Sequence, residues 1–137
     1  MKKFKILSIL TLVSLAVAIF LETINFAIKA SWNYDEGFST YIYHSYFDPM
    51  ACNATGDFSP FICALLTVVI AMVVIVSLFL KNPSSIYLAL TILSWVAVIF
   101  SFLPMIINHF TAIGAIISAM LITCAEINHY IHLSVKK

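Results

Sequence analysis

Four long apolar runs, a scarcity of charge and lysines gathered at one set of connections predict an all-α membrane protein. The expected architecture is an antiparallel four-helix transmembrane bundle with a partly structured outer loop between its first and second helices. Of 137 residues, 63% are hydrophobic and 9% charged, with a mean hydropathy of +1.07. Soluble domains carry about a quarter charged residues. So few charges cannot cover a water-facing surface without leaving large apolar patches, so lipid is the expected solvent for much of it.

A hydrocarbon core about 30 Å thick takes about 20 apolar residues of helix to cross. Four runs meet that need within a single domain, 1–137, and predict helices over about 6–28, 60–80, 85–107 and 109–130. Apolar residues fall on every face of each run, as expected of helices bathed in lipid. Ser59-Pro60 reads as an N-cap followed by proline at the first helical position, where its missing N–H costs nothing. Lys81-Asn82-Pro83-Ser84-Ser85 reads as a turn between the second and third helices. Pro104 lies near the end of the third, and Asn108 is the expected cap of the fourth. Connections this short make consecutive helices antiparallel neighbours.

Orientation follows from the basic residues, all seven of which are lysines. Lys2, Lys3 and Lys5 precede the first run, Lys81 lies between the second and third, and Lys136 and Lys137 close the chain. Four spans bring these to one side; Lys29 alone falls on the other, with Asp35, Glu36, Asp48 and Asp57. The excess of lysine marks the cytoplasmic side, so a cell (plasma) membrane location with both termini cytoplasmic is expected. A competing reading makes the first run a signal peptide cut after Ala16-Val17-Ala18. Against it, the apolar run continues through Ile19, Phe20 and Leu21, which suits a retained span.

Residues 29–59 form the extracytoplasmic loop. Ten aromatics stand between positions 26 and 61, more than a disordered linker carries. Trp and Tyr favour the headgroup zone, and an interfacial belt is the plainer explanation. They also dominate binding hot spots, which makes Trp32, Tyr41, Tyr43, Tyr46 and Phe47 a candidate partner surface. The segment from Gly37 to Phe47 is ambiguous in period: Phe38, Tyr41, Ile42 and Ser45 fit one helical face, while Thr40–Tyr43 has strand-like composition. A short helix lying on the membrane surface is the expectation.

The stretch Ser45-Tyr46-Phe47-Asp48-Pro49, then Gly56-Asp57-Phe58-Ser59-Pro60-Phe61 leading into Ala64-Leu65-Leu66-Thr67, resembles a group of small bacterial four-span membrane proteins without an assigned activity. The likeness covers the layout of the chain, with its specific residues between about positions 45 and 67. It implies the same topology and no particular chemistry. Cys52-Asn53-Ala54-Thr55 departs from the aromatic, glycine-rich linker of that group. A long first outer loop on four helices is also similar to the claudin arrangement, but the paired-cysteine signature of that loop is missing.

Cys52 in the loop and Cys63 at the start of the second helix are a candidate disulfide, formed only if their Cα atoms come within about 7 Å. The plainer reading leaves Cys63 and Cys124 as small apolar residues. There is no Cys-x-x-Cys, which argues against a thiol oxidoreductase. Glu126, His129 and His132 recur every third residue, but carboxylates on facing helices, needed for a di-metal bundle, are missing, so no metal site is assigned. Solvated side chains at a helix end explain that trio. Glu22 and Asn25 form a candidate polar site within or beside the membrane, since an ionisable group in a span is functional by default. Its depth, however, suits an interfacial structural role beside Lys29 and water. Asn53-Ala54-Thr55 is a glycosylation sequon, discounted because the chain reads as bacterial. Small residues at Gly114/Ser118, Ala115/Ala119 and Ala97/Ser101 predict close helix approach, within the chain by default or between copies.

No catalytic residue and no cofactor are assigned, because no nucleophile–base pair or phosphate cradle can be placed. Without arginine or a basic run, nucleic acid is not an expected partner. The expected partners are the lipid bilayer, a membrane or extracytoplasmic protein, and a second copy of the chain. The functional expectation is a non-enzymatic accessory, assembly or recognition component of the cell envelope. The alternative is a small oligomeric transporter or channel subunit.

Overall fold

The computed structural model of the chain describes residues 2–24, 27–33, 39–47, 59–80, 84–106 and 111–136. It consists of α1 (Lys2–Glu22), β1 (Ile28–Asn33), β2 (Ser39–His44), α2 (Ser59–Phe79), α3 (Ser84–Ile106) and α4 (Ala112–Lys136). All four helices are long and apolar enough to cross a membrane. Their 21, 21, 23 and 25 residues rise about 1.5 Å each, enough for the hydrocarbon thickness.

The helices close a ring in which α1 packs on α2, α2 on α3, α3 on α4 and α4 on α1, the α1–α2 seam being the least extensive. Cross-links between helices show the antiparallel sense. Ser118 Oγ donates to Ser101 Oγ at 3.0 Å, while Asn128 Nδ2, further along α4, donates to Ser94 Oγ, further back along α3, at 3.0 Å. At the end holding both termini, Lys3 Nζ donates to Tyr130 Oη at 2.7 Å and stands 5.1 Å from that ring's centre.

The inward side of each helix mixes small and polar residues with Leu and Ile, whereas the outward side is bulky and apolar. The buried positions of α1 are Ser8, Thr11, Leu15, Ala18 and Glu22. Those of α3 include Tyr87, Leu90, Ser94, Ala97 and Ser101, and those of α4 include Gly114, Ile117, Leu121, Cys124, Asn128 and Ile131. Alternating steps of three and four give the period of about 3.5 residues that keeps one stripe against a neighbouring helix. Small side chains on that stripe let backbones approach where lipid supplies no hydrophobic drive. The outward faces carry bulky apolar groups such as Ile9, Val13 and Phe20 on α1, Met72 and Phe79 on α2, and Ile92 and Ile99 on α3. An interior that mixes small and hydroxyl side chains with Leu15, Ile70, Leu90, Ile117 and Leu121, inside a surface of bulky apolar groups, is a bundle for lipid. The chain is a multi-pass membrane protein.

Buried hydroxyls are satisfied close to home. Thr11, Thr67 and Thr91 donate to carbonyls four residues back, and Ser77 and Ser101 to carbonyls three back, at 2.6–3.0 Å. Ser8 and Tyr87 share a hydrogen bond of 3.0 Å across the bundle.

The outer segment departs from the expected surface helix. Residues Ser39–His44 form a strand, paired antiparallel with Ile28–Asn33, from Ile28 opposite His44 to Asn33 opposite Ser39. Two physical reasons favour the strand. A short helix must meet its nucleation cost with few hydrogen bonds, and Thr40-Tyr41-Ile42-Tyr43 is β-branched and aromatic. The first helix correspondingly ends at Glu22 instead of running to 28, since the residues from Ile28 onward are taken up by the hairpin. The fourth helix begins at Ala112 and runs to Lys136, past the expected 130.

Candidate functional site

The last turn of α1 holds the most unusual side chain of the bundle. Because the inward stripe of α1 recurs at positions 8, 11, 15, 18 and 22, Glu22 falls on it and is 0% exposed. Its position at the helix end does not expose it; a packed seam with α2 covers it. Thr67 Oγ1 donates to Glu22 Oε1 at 2.9 Å, and the same hydroxyl lies 2.8 Å from the Cys63 carbonyl oxygen. Glu22 Oε2 has no hydrogen-bond partner among the described residues. No ion pair to Glu22 exists among the described residues. The expected neighbours Asn25 and Lys29 do not settle its surroundings: Asn25 lies outside the described residues, and of Lys29 only the strand backbone is described.

Two bonds fasten the outer structure to the bundle at this end. The backbone N–H of Tyr46, just past β2, donates to the Glu22 carbonyl oxygen at 2.9 Å, occupying one of the acceptors a helix leaves open at its end. Thr111 Oγ1 donates to the Ala27 carbonyl oxygen at 2.7 Å and accepts from the Gly114 N–H at 3.1 Å. Thr111 is therefore the N-cap of α4, its side chain serving the third residue of the helix. Asn108, the expected cap, lies outside the described residues and is three residues too early for a helix starting at Ala112.

The candidate partner surface is divided by the hairpin. Register places Tyr41 opposite Ser31 and Tyr43 opposite Lys29, positions of one face, and Trp32 opposite Thr40, a position of the other. Tyr46 is buried and Phe47 half-buried against the core, so these two hold the hairpin's end in place. Cys63 is a buried free thiol whose Sγ donates to the Ala97 carbonyl oxygen at 3.6 Å, while Cys52 lies outside the described residues.

Deeper in the bundle, Cys124 is buried and receives the Asn128 amide at 3.5 Å, with Ser94 Oγ at 3.9 Å. Gly114, Ser118, Ala97 and Ser101 face inward, whereas Ala115 and Ala119 face outward. Glu126 and His129 are exposed and His132 is half-buried. Among the described residues, no group of three or more His, Cys, Asp or Glu side chains could hold a metal ion. Sequence reading passed over Thr67, Thr111, Ser94 and Asn128. The signal that could have found three of them is the three–four spacing of small and polar residues within bulky apolar runs.

Comparison of the chain with protein-family models, with characterised proteins and with solved structures finds no match.

Proposed function

We propose that this chain is a non-enzymatic recognition or assembly component of a cell envelope. It sits in the plasma membrane with both termini cytoplasmic and presents its β-hairpin on the outer side to a membrane or extracytoplasmic protein. The reading rests on the main-chain bond from Tyr46 to the end of α1, which, with the Thr111 bond to Ala27, fixes the hairpin to a lipid-embedded base. A hairpin alone is marginal in water; one anchored to four helices is a preorganised surface, which reduces the ordering cost of binding. The face of Lys29, Ser31, Tyr41 and Tyr43 combines tyrosine with polar groups, a composition suited to binding hot spots. Orientation is supported by the lysines of the termini and of the α2–α3 connection, gathered at the opposite end.

A photo-crosslinking residue in place of Ser31, beside Tyr41 in the register, tests this in native membranes. A discrete adduct is expected, lost on Tyr41→Ala with Tyr43→Ala and retained on Phe20→Ala, which alters the lipid-facing side of α1. Adducts to lipid alone, or an adduct indifferent to both tyrosines, would remove the recognition reading.

The second reading is an oligomeric transporter or channel subunit. It is favoured by the buried Glu22 carboxyl and by the outward small residues Ala115 and Ala119 on α4. Loss of a liposome flux on Glu22→Gln would select it.

A further inference from the structure

We propose that Glu22 is a buried proton-binding site: a neutral carboxylic acid that donates to Thr67 Oγ1, which in turn donates to the Cys63 carbonyl oxygen. This goes beyond the recognition reading and does not depend on it.

The argument begins with proton counting. The Thr67 hydroxyl has one proton, yet lies within hydrogen-bond distance of two acceptors, the Cys63 carbonyl at 2.8 Å and Glu22 Oε1 at 2.9 Å. With Glu22 ionised, the single hydroxyl proton is either divided between two acceptors, weakening both bonds, or leaves one contact between two oxygens without a proton. A proton on Glu22 satisfies both at once, because the hydroxyl then accepts from the acid and donates to the carbonyl. The second carboxyl oxygen, Oε2, has no donor among the described residues. An ionised carboxylate left in that condition in a dry interior costs far more than a neutral carbonyl oxygen does.

Among the described side chains none supplies a compensating positive charge. Glu22 ends α1, where the helix dipole is negative, and no basic residue lies in that last turn. From α2 the nearest titratable side chain is Cys63, whose thiol donates to Ala97 and could add only negative charge. Of the described residues 45–47, just after β2, only Tyr46 is titratable, and α4 carries no titratable side chain from Ala112 to Thr123. A carboxyl in an apolar site can serve as a hydrogen-bond donor when it stays neutral, and this geometry supplies the acceptor. Asparagine or glutamine would give a permanent donor here; a carboxyl gives one that can be loaded and unloaded.

Infrared spectra of the protein in zwitterionic liposomes test the assignment, at neutral pH with either sodium or choline as the only cation. The parent spectrum minus that of Glu22→Gln is expected to show an acid C=O band in both buffers, with no carboxylate intensity lost. A carboxylate band in that difference would overturn the proposal. So would an acid band seen in choline alone, which would make a sodium ion the occupant. Should Glu22→Gln fail to fold, the unsubstituted chain carrying carboxyl-labelled ¹³C-glutamate decides: an isotope-shifted acid band is expected, and its absence contradicts the proposal.

Discussion

Thr67 and Thr111 do comparable work at the two ends of one problem, since each gives a hydroxyl to a group that neither helix nor water can serve. Thr67 reaches the carboxyl of Glu22 across the α1–α2 seam; Thr111 caps α4 and holds the Ala27 carbonyl. Glutamine at position 22 can donate to Thr67 as the neutral acid does, so Glu22→Gln is expected to keep stability within about 1 kcal/mol. Glu22→Ala removes the partner and leaves a void, at a cost of about 2 kcal/mol or more. Reversible unfolding in mixed micelles measures both. By the same measurement Thr111→Ala is expected to lose about 1–2 kcal/mol, the value of an N-cap, with Thr111→Ser close to the parent.

At the scale of elements, α4 separates its two small-residue pairs by face. Gly114 and Ser118 are buried against α3, while Ala115 and Ala119 point outward. Gly114→Leu is expected to push the helices apart and cost about 1–3 kcal/mol, as overpacking does. Ala115→Leu is expected to leave the monomer's stability unchanged, and a change in its oligomeric mass by light scattering would mark that face as a contact between copies. The spans were legible because length and apolarity alone decide whether a helix can cross lipid. The inward stripe was not, because lipid removes the contrast between apolar core and polar surface on which face reading relies. What remained was the weaker contrast of size, as in Ser8, Thr11 and Ala18 against Ile9, Val13 and Phe20. The hairpin was misread for a different reason. Its strand Ser39–His44 fits both periods over six residues, and its partner Ile28–Asn33 straddles the expected boundary between the first helix, ending at 28, and the loop from 29. For Glu22, nearness to the helix end suggests Lys29 or water as its neighbour, whereas the side chain is buried against Thr67 of α2.

The whole molecule presents bulky apolar side chains outward and keeps hydroxyls and Asn128 inside among Leu, Ile and small residues, an arrangement suited to a lipid solvent. Four antiparallel helices then bring the termini and the α2–α3 connection to one end and the hairpin to the other, with Lys3 and Tyr130 joining first helix to last. The central claim is this division into two ends separated by a bilayer. An amine reagent that cannot cross membranes, applied to intact cells and read by peptide mass spectrometry, tests it on the unsubstituted chain. Lys29 is expected to be modified, with Lys81 and the Lys136–Lys137 tail protected until the membrane is opened. Modification of Lys29 and Lys81 together from the same side of an intact membrane would contradict the arrangement.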